Sequence, residues 1–166
     1  QSKIFVPSFA TLHAIDRYRL LVDALDVDTE DVTFPLPAGE SVAIPEAFQS
    51  KAVVLHPFSR GLGKSLSTEE VIELCEALAP LPVWLVGYDE TAASIKWPEN
   101  TYSLLNQTSL SELIYLLREA AFTISVDSGP MHLAAAISPR VLSLHTWTNP
   151  AVVGPWPKES TIACDE

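Results

Sequence analysis

The stretch "SVDSGPMHLAAA", residues 125–136, decides how the chain is read. A β-branched apolar run leads into it and stops at Asp127. Ser128 and Gly129 turn the chain, and Pro130 stands where helices favour proline, at the first residue. That is a strand running straight into a helix. The first N–H groups of such a helix have no partner within it and carry the positive end of its dipole, so they favour a phosphate. Gly129 lets a ligand approach the backbone closely, and Ser128 adds a hydroxyl donor. Ala134, Ala135 and Ala136 permit tight packing of helix on sheet. Taken alone, the turn is equally that of an ordinary Asp-Ser-Gly strand-to-helix junction.

The same alternation extends both ways along the chain. "FTISV" (122–126) is the strand, preceded by "LSELIYLLREAA", a helix opened by the capping box Ser109 and Glu112. Upstream, "AVVLH" (52–56) reads as a buried strand. A second capping box, Ser67 with Glu70, then starts a helical stripe of Val71, Leu74, Cys75 and Leu78. "PVWLVG" (82–87) is the next strand, "DETAASIKW" a short helix and "YSLLN" (102–106) a short strand. "RVLSLH" (140–145) is the last clear strand. Five strands with intervening helices predict an α/β fold, a Rossmann-like, doubly wound parallel sheet. Its ligand site should lie outside the carboxyl ends of the strands. Residues 1–50 differ: Leu12, Ile15, Tyr18, Val22 and Leu25 line one face of a helix, and the Pro- and acid-rich "DVDTEDVTFPLPAGESVAIP" follows. We therefore divide the chain into a connecting helix and linker, 1–50, and a Rossmann-like domain, 51–166.

Composition narrows the function classes. With 166 residues, 48% apolar and 19% charged, the chain can bury a real core. A net charge of −11 argues against nucleic acid as a partner, because phosphate backbones need a basic surface. An anionic small ligand would need a few local donors to overcome that field. No apolar run approaches the ~18 residues of a membrane span, so no integral membrane segment is expected. The first residues lack a signal peptide's features. Cys75 in a helix and Cys164 in the tail have no metal-site company, so a reducing cytoplasm is the default location. Asp26-Val27-Asp28 has the D-x-D form that some metal-dependent sugar transferases use, but it follows a helix in an acidic linker. It reads as solvated linker, and no metal ligand set is predicted.

The second informative stretch is "VVLHPFSRGLGKSLSTEE" (53–70), a strand, then Gly63-Lys64-Ser65, then a helix. A Walker A loop needs a glycine five positions before Gly63, to curl the backbone round phosphates, and that position is Phe58. The spacing rejects a P-loop phosphohydrolase and leaves open whether Lys64 serves some other phosphate. His56 closes the strand and equally suits a core position. His132, on the first turn of the later helix, either faces the site or caps a neighbouring loop.

Together these motifs resemble one family. "HPFSRGLGK", "LVGYDE" and "NQTSLSELIYLLREAAFTISVDSGPMHLAAAI" match the pattern of family 9 glycosyltransferases, the ADP-heptose–lipopolysaccharide heptosyltransferases and their relatives. The resemblance covers about residues 50 to 156, and "HAIDRYRLLVDAL" is similar to the helix joining the two halves of those enzymes. It implies one half of a GT-B architecture, the half that holds the nucleotide-diphosphate-sugar donor, with ADP-heptose the family's donor and no separate cofactor. The implied partners are a missing N-terminal acceptor domain that supplies the catalytic base, and a lipid-linked saccharide acceptor at the inner membrane. The chain alone would then be inactive. Mapped onto this sequence, Lys64 would act catalytically on the diphosphate leaving group, and Ser59 and Arg60 would line its loop. Glu90, following Gly87, would accept from the ribose. Ser128 and Gly129 would bind phosphate while Asp127 positions the sugar or the turn, and Met131 and His132 would shape the pocket wall. The sequence departs from the family after the lysine, where "KSLS" stands, and after the last strand, where "LHTWTNP" stands. The competing reading is a degenerate, non-catalytic Rossmann-like binding module.

Overall fold

The periodicities above become one parallel sheet in a computed structural model, which describes residues 12–29, 32–156 and 161–164. The strands are β1 (Val53–His56), β2 (Val83–Leu85), β3 (Thr101–Ser103), β4 (Phe122–Val126), β5 (Val141–His145) and β6 (Thr161–Cys164). The helices are α1 (Ala14–Asp23), α2 (Thr68–Ala77), α3 (Leu110–Glu119), α4 (Gly129–Ile137) and α5 (Pro150–Val153). The sheet order is β3-β2-β1-β4-β5-β6, with every pairing parallel. This is the doubly wound order, and its direction reverses between β1 and β4. The expected five strands are all present, and a sixth follows them: the segment read as a tail pairs with β5.

Both faces of the sheet are covered, as parallel sheets require. Alternate residues of β1 divide between them. Val54 joins Trp84, Val86, Leu116 and Met131 under α3 and α4. Val53 and Leu55 join Val83, Leu85, Val71 and Cys75 under α2. Both capping boxes are formed: Ser67 and Ser109 each accept from the third helical residue, whose glutamate reaches back. The segment expected as a short helix at 89–97 is a single 3-10 turn, Ala92–Ser94, held because the Asp89 carboxylate accepts from Thr91 N and Ala92 N.

Residues 32–50 do not float. Val42, Ile44 and Phe48 pack on the α3–α4 side of the sheet. Trp84 Nε1 donates to Phe48 O at 2.8 Å, and Arg118 donates to the carbonyls of Leu36 and Pro37. Glu40 N donates to Ser111 O at 3.1 Å. Beside that bond Gly39 has φ +88°, and a Cβ there would lie 2.5 Å from Tyr115 N and 2.6 Å from Ser111 O. Glycine is needed twice over, for its backbone angle and for its lack of a side chain. Gly39→Ala is therefore expected to lower the unfolding free energy by roughly 1–3 kcal/mol in urea titrations. An unchanged midpoint would mean that this strap does not seat on α3 as described.

Candidate functional site

The reversal in strand order opens a crevice at the carboxyl ends of β1 and β4. A cleft of about 370 Å³ lies there, lined by His56, Phe58, Ser59, Arg60, Tyr88, Ser128, Gly129 and Pro130. Ser128 precedes α4 in extended backbone and makes no capping hydrogen bond, so the first-turn amides of α4 are left to solvent or ligand. A Cβ built on Gly129 would meet no protein atom within 4 Å. Packing does not ask for glycine at this position; the space in front of its backbone is open.

The floor of the cleft is a buried polar set. His56 faces Ser125 across the β1–β4 ladder, and its Nδ1 lies 3.3 Å from Ser125 Oγ and 3.2 Å from Ser128 Oγ. Both hydroxyls also lie 3.0 Å from Val126 O, an arrangement in which each can donate to that carbonyl and accept from Nδ1–H. Behind the ring, Gly87 has φ +129°, and a Cβ there would sit 3.3 Å from His56 Cδ2. Burial pushes the His56 pKa down from 6.5 to about 4. At neutral pH the ring is therefore uncharged and serves as a fixed scaffold under Ser128.

Lys64 stands at the flank of the cleft. Its Nζ donates to Asp127 Oδ2 at 2.7 Å and lies 5.3 Å from the centroid of the Trp147 ring. Burial alone would raise the Asp127 carboxyl, but hydrogen bonds from Lys64 and Thr148 and the Lys64 charge hold it below the usual carboxylate range. His145 completes this side: Nδ1 meets Thr148 Oγ1 at 2.9 Å and Nε2 meets Ser143 Oγ at 3.2 Å. A Cβ at Gly61 would press on Lys64 Cδ at 3.0 Å, so that glycine leaves room for the lysine stem.

The structure gathers some of the sequence-predicted residues and separates others. Ser59, Arg60, Ser128 and Gly129 share the cleft, and Gly87 backs it. Glu90 is exposed and accepts from Tyr88 Oη at 2.8 Å, which ties it to a lining residue. Lys64 is ion-paired with Asp127, and Arg60 lines the cleft together with Tyr88. Met131 is fully buried in the core beneath α4. His132 lines a second, larger cavity of about 610 Å³, whose walls are mostly apolar side chains of α1, α3 and α4. Its pKa is lowered by desolvation there. The two cavities meet at Gly129 and Pro130; the larger is mostly apolar with His13 and His132 among its few polar groups, and the smaller, where His56, Ser59, Arg60 and Ser128 converge, is the candidate site. Tyr88 and Trp147 carry no local sequence signal for the site, whereas His56 does, as a histidine closing a central strand of a switch-point sheet. Asp26 and Asp28 are exposed after α1, and among the described residues no group of acids, histidines or cysteines is placed to hold a metal.

Comparison with known proteins gives the same outline. The sequence profile of glycosyltransferase family 9 (heptosyltransferase) matches residues 6–166. No curated protein matches the chain significantly. Among solved structures, E. coli heptosyltransferase WaaC with ADP superposes with a TM-score of 0.69 at 20% identity, over 94% of this chain and 51% of its own. A family 9 glycosyl transferase from Veillonella parvula gives 0.71 at 15% identity, over 99% and 51%. E. coli ADP-heptose lps heptosyltransferase II gives 0.69 at 20% identity, over 92% and 54%. At these identities the likeness is one of fold. The chain spans about half the length of each.

The buried His56 makes stability depend on pH. Its folded pKa lies below the unfolded value, so protonation favours the unfolded chain. The contribution is complete above about pH 6.5 and is lost progressively down to about pH 4. Between pH 7.5 and pH 5 the unfolding free energy should fall by roughly 2 kcal/mol from His56 alone. His132 and His145, also lowered by desolvation, act in the same direction. Urea titrations of His56→Gln should show a shallower pH slope than the wild type; identical slopes would mean that His56 titrates as if exposed.

Proposed function

The chain belongs to glycosyltransferase family 9, and from that premise we propose that its cleft holds a nucleotide-diphosphate sugar as the donor side of an inverting transfer. The observation that supports this most is the convergence of three anion-seeking features at one switch point. They are the uncapped N-terminus of α4, the open approach at Gly129, and the Lys64 ammonium. In a chain of net charge −11 such a convergence is local and specific. ADP-heptose is the donor we infer, since the relatives of like fold are named for ADP and ADP-heptose.

In this reading the Ser128-Gly129 turn and the first amides of α4 receive the diphosphate. Lys64 leaves Asp127 in part to meet it, and offsets the charge that grows on the leaving oxygen as the glycosidic bond breaks. Arg60 lies on the same rim, and Glu90 accepts from the ribose. An acceptor hydroxyl, from a lipid-linked saccharide at the cytoplasmic face of the inner membrane, attacks the anomeric carbon while a base takes its proton. No such base is proposed within this chain; it would come from an acceptor domain of the longer protein, so the 166 residues alone should bind donor without transferring sugar. Among the described residues no helix is long and apolar enough to cross a membrane.

One observation favours the rival reading, a binding module that has lost catalysis. The Lys64 ammonium already has a carboxylate at 2.7 Å and an aromatic face beside it. Titration calorimetry with ADP and UDP in metal-free buffer separates the two. The wild type should bind, and Lys64→Ala should weaken binding about tenfold to a hundredfold, the range for one charge-assisted hydrogen bond. Absence of binding by every nucleoside diphosphate would favour the module.

A further inference from the structure

The loop that carries Lys64 is held in place from outside itself. Its base closes on its own atoms: Ser59 N donates to Ser65 Oγ at 2.8 Å, Ser65 Oγ donates to Ser59 O at 3.1 Å, and Leu66 N donates to Pro57 O at 3.0 Å. The tip, residues 61–64, is different. Leu62 is 94% exposed, and Gly63 sits at φ +71°. Lys64 N donates back to Gly61 O at a long 3.3 Å. These features leave the direction of Lys64 to be set by something else.

Two residues that follow β5 set it. Thr146 Oγ1 donates to Gly63 O at 2.6 Å, and Trp147 Nε1 donates to Leu62 O at 3.2 Å. The two carbonyls just before the lysine are therefore both tied. The Trp147 ring then offers its face to Nζ, while Asp127 takes the ammonium from the sheet side. Trp147 is 67% exposed, so its ring is not there to fill a core. Its contacts with the lysine loop are the interactions that give it a fixed place. This pair also falls where the sequence departs from the family pattern, in "LHTWTNP".

We propose that Thr146 and Trp147 form a latch that fixes the Lys64 loop at the switch point. Both are then positioning residues for the nucleoside diphosphate that Lys64 receives. The second half of this proposal rests on the donor-cradle reading above. A lysine on a free tip must be ordered anew by each ligand, and that entropy opposes binding; the latch removes the loss beforehand. The expected penalty for its removal is a weaker complex without a less stable fold.

The test uses Trp147→Ala, Trp147→Phe and Thr146→Val, with and without ligand. Without ligand, trypsin has two sites in the loop, after Arg60 and after Lys64, and the exposed Lys96 outside it provides an internal control. Cleavage at the loop sites should be about tenfold faster in Trp147→Ala and about threefold faster in Thr146→Val, as expected for losing one to two exposed polar contacts. Cleavage after Lys96 and the melting temperature should not change. With ligand, the ADP dissociation constant should rise about threefold to tenfold in Trp147→Ala and recover part of the way in Trp147→Phe, which keeps the ring face and loses the donor. Equal loop cleavage in wild type and Trp147→Ala overturns the latch. Faster cleavage with an unchanged ADP dissociation constant overturns the positioning role. If the wild type binds no nucleoside diphosphate, the cradle reading fails and the positioning role with it, while the ligand-free cleavage still decides the latch.

Discussion

Everything at the candidate site follows from the pairing of β1 with β4. These strands are 69 residues apart in the ladder pair His56–Ser125, and the crossover through β2, β3 and α3 is what brings them side by side. Their parallel register aligns both carboxyl ends, so the loop after each strand emerges at one edge. With helices on opposite faces on the two sides of this pair, the loops diverge and a crevice is left between them. A one-residue slip would exchange the faces of β1 and turn Val54 out of the α3–α4 core. The cleft is thus as well determined as the core beneath it.

The same pairing imposes an electrostatic condition. It buries His56, Ser125 and Asp127 at the end of the sheet, and buried polar groups must be satisfied or neutral. His56 meets the condition by staying uncharged and sharing hydrogen bonds with two hydroxyls. Asp127 meets it by remaining charged with a cation against it. The two solutions sit side by side and produce a graded site: a neutral polar floor under Ser128, and an ion pair on the flank. Thr148 and His145 extend that flank, which joins the β5 loop to the acid.

Local features were legible in the sequence, and relations across the chain were not. Both capping boxes, the five strands and the proline-led α4 could be read because each depends on spacings of two to four residues. β6 could not, because "TIAC" is short and carries no alternation strong enough to distinguish it from a tail. The place of Met131 in the signature stretch points to a pocket wall, yet a helix started at Gly129 turns its third residue down onto the sheet. The Lys64–Asp127 ion pair joins residues 63 apart in the chain. A buried carboxylate calls for a cation, but only the sheet order shows that Lys64 is within its reach.

The ion pair also limits what Lys64 can serve. In its resting position the ammonium has a carboxylate within hydrogen-bonding distance and an indole face beside it. A neutral hydroxyl offers nothing that this arrangement lacks, and drawing Lys64 toward one would strip a cation from the buried Asp127. The attraction between unit charges at 4 Å is about 1 kcal/mol in water and about 4 kcal/mol near a protein surface. A single charge arriving at the cleft would merely balance the one left behind. A group with more than one negative charge, seated on the α4 amides, shifts the balance, because it attracts the ammonium while Thr148 continues to hydrogen-bond Asp127. On the proposed donor reading, the ion pair would let the site distinguish a diphosphate from a sugar hydroxyl by charge before any contact with base or sugar is made.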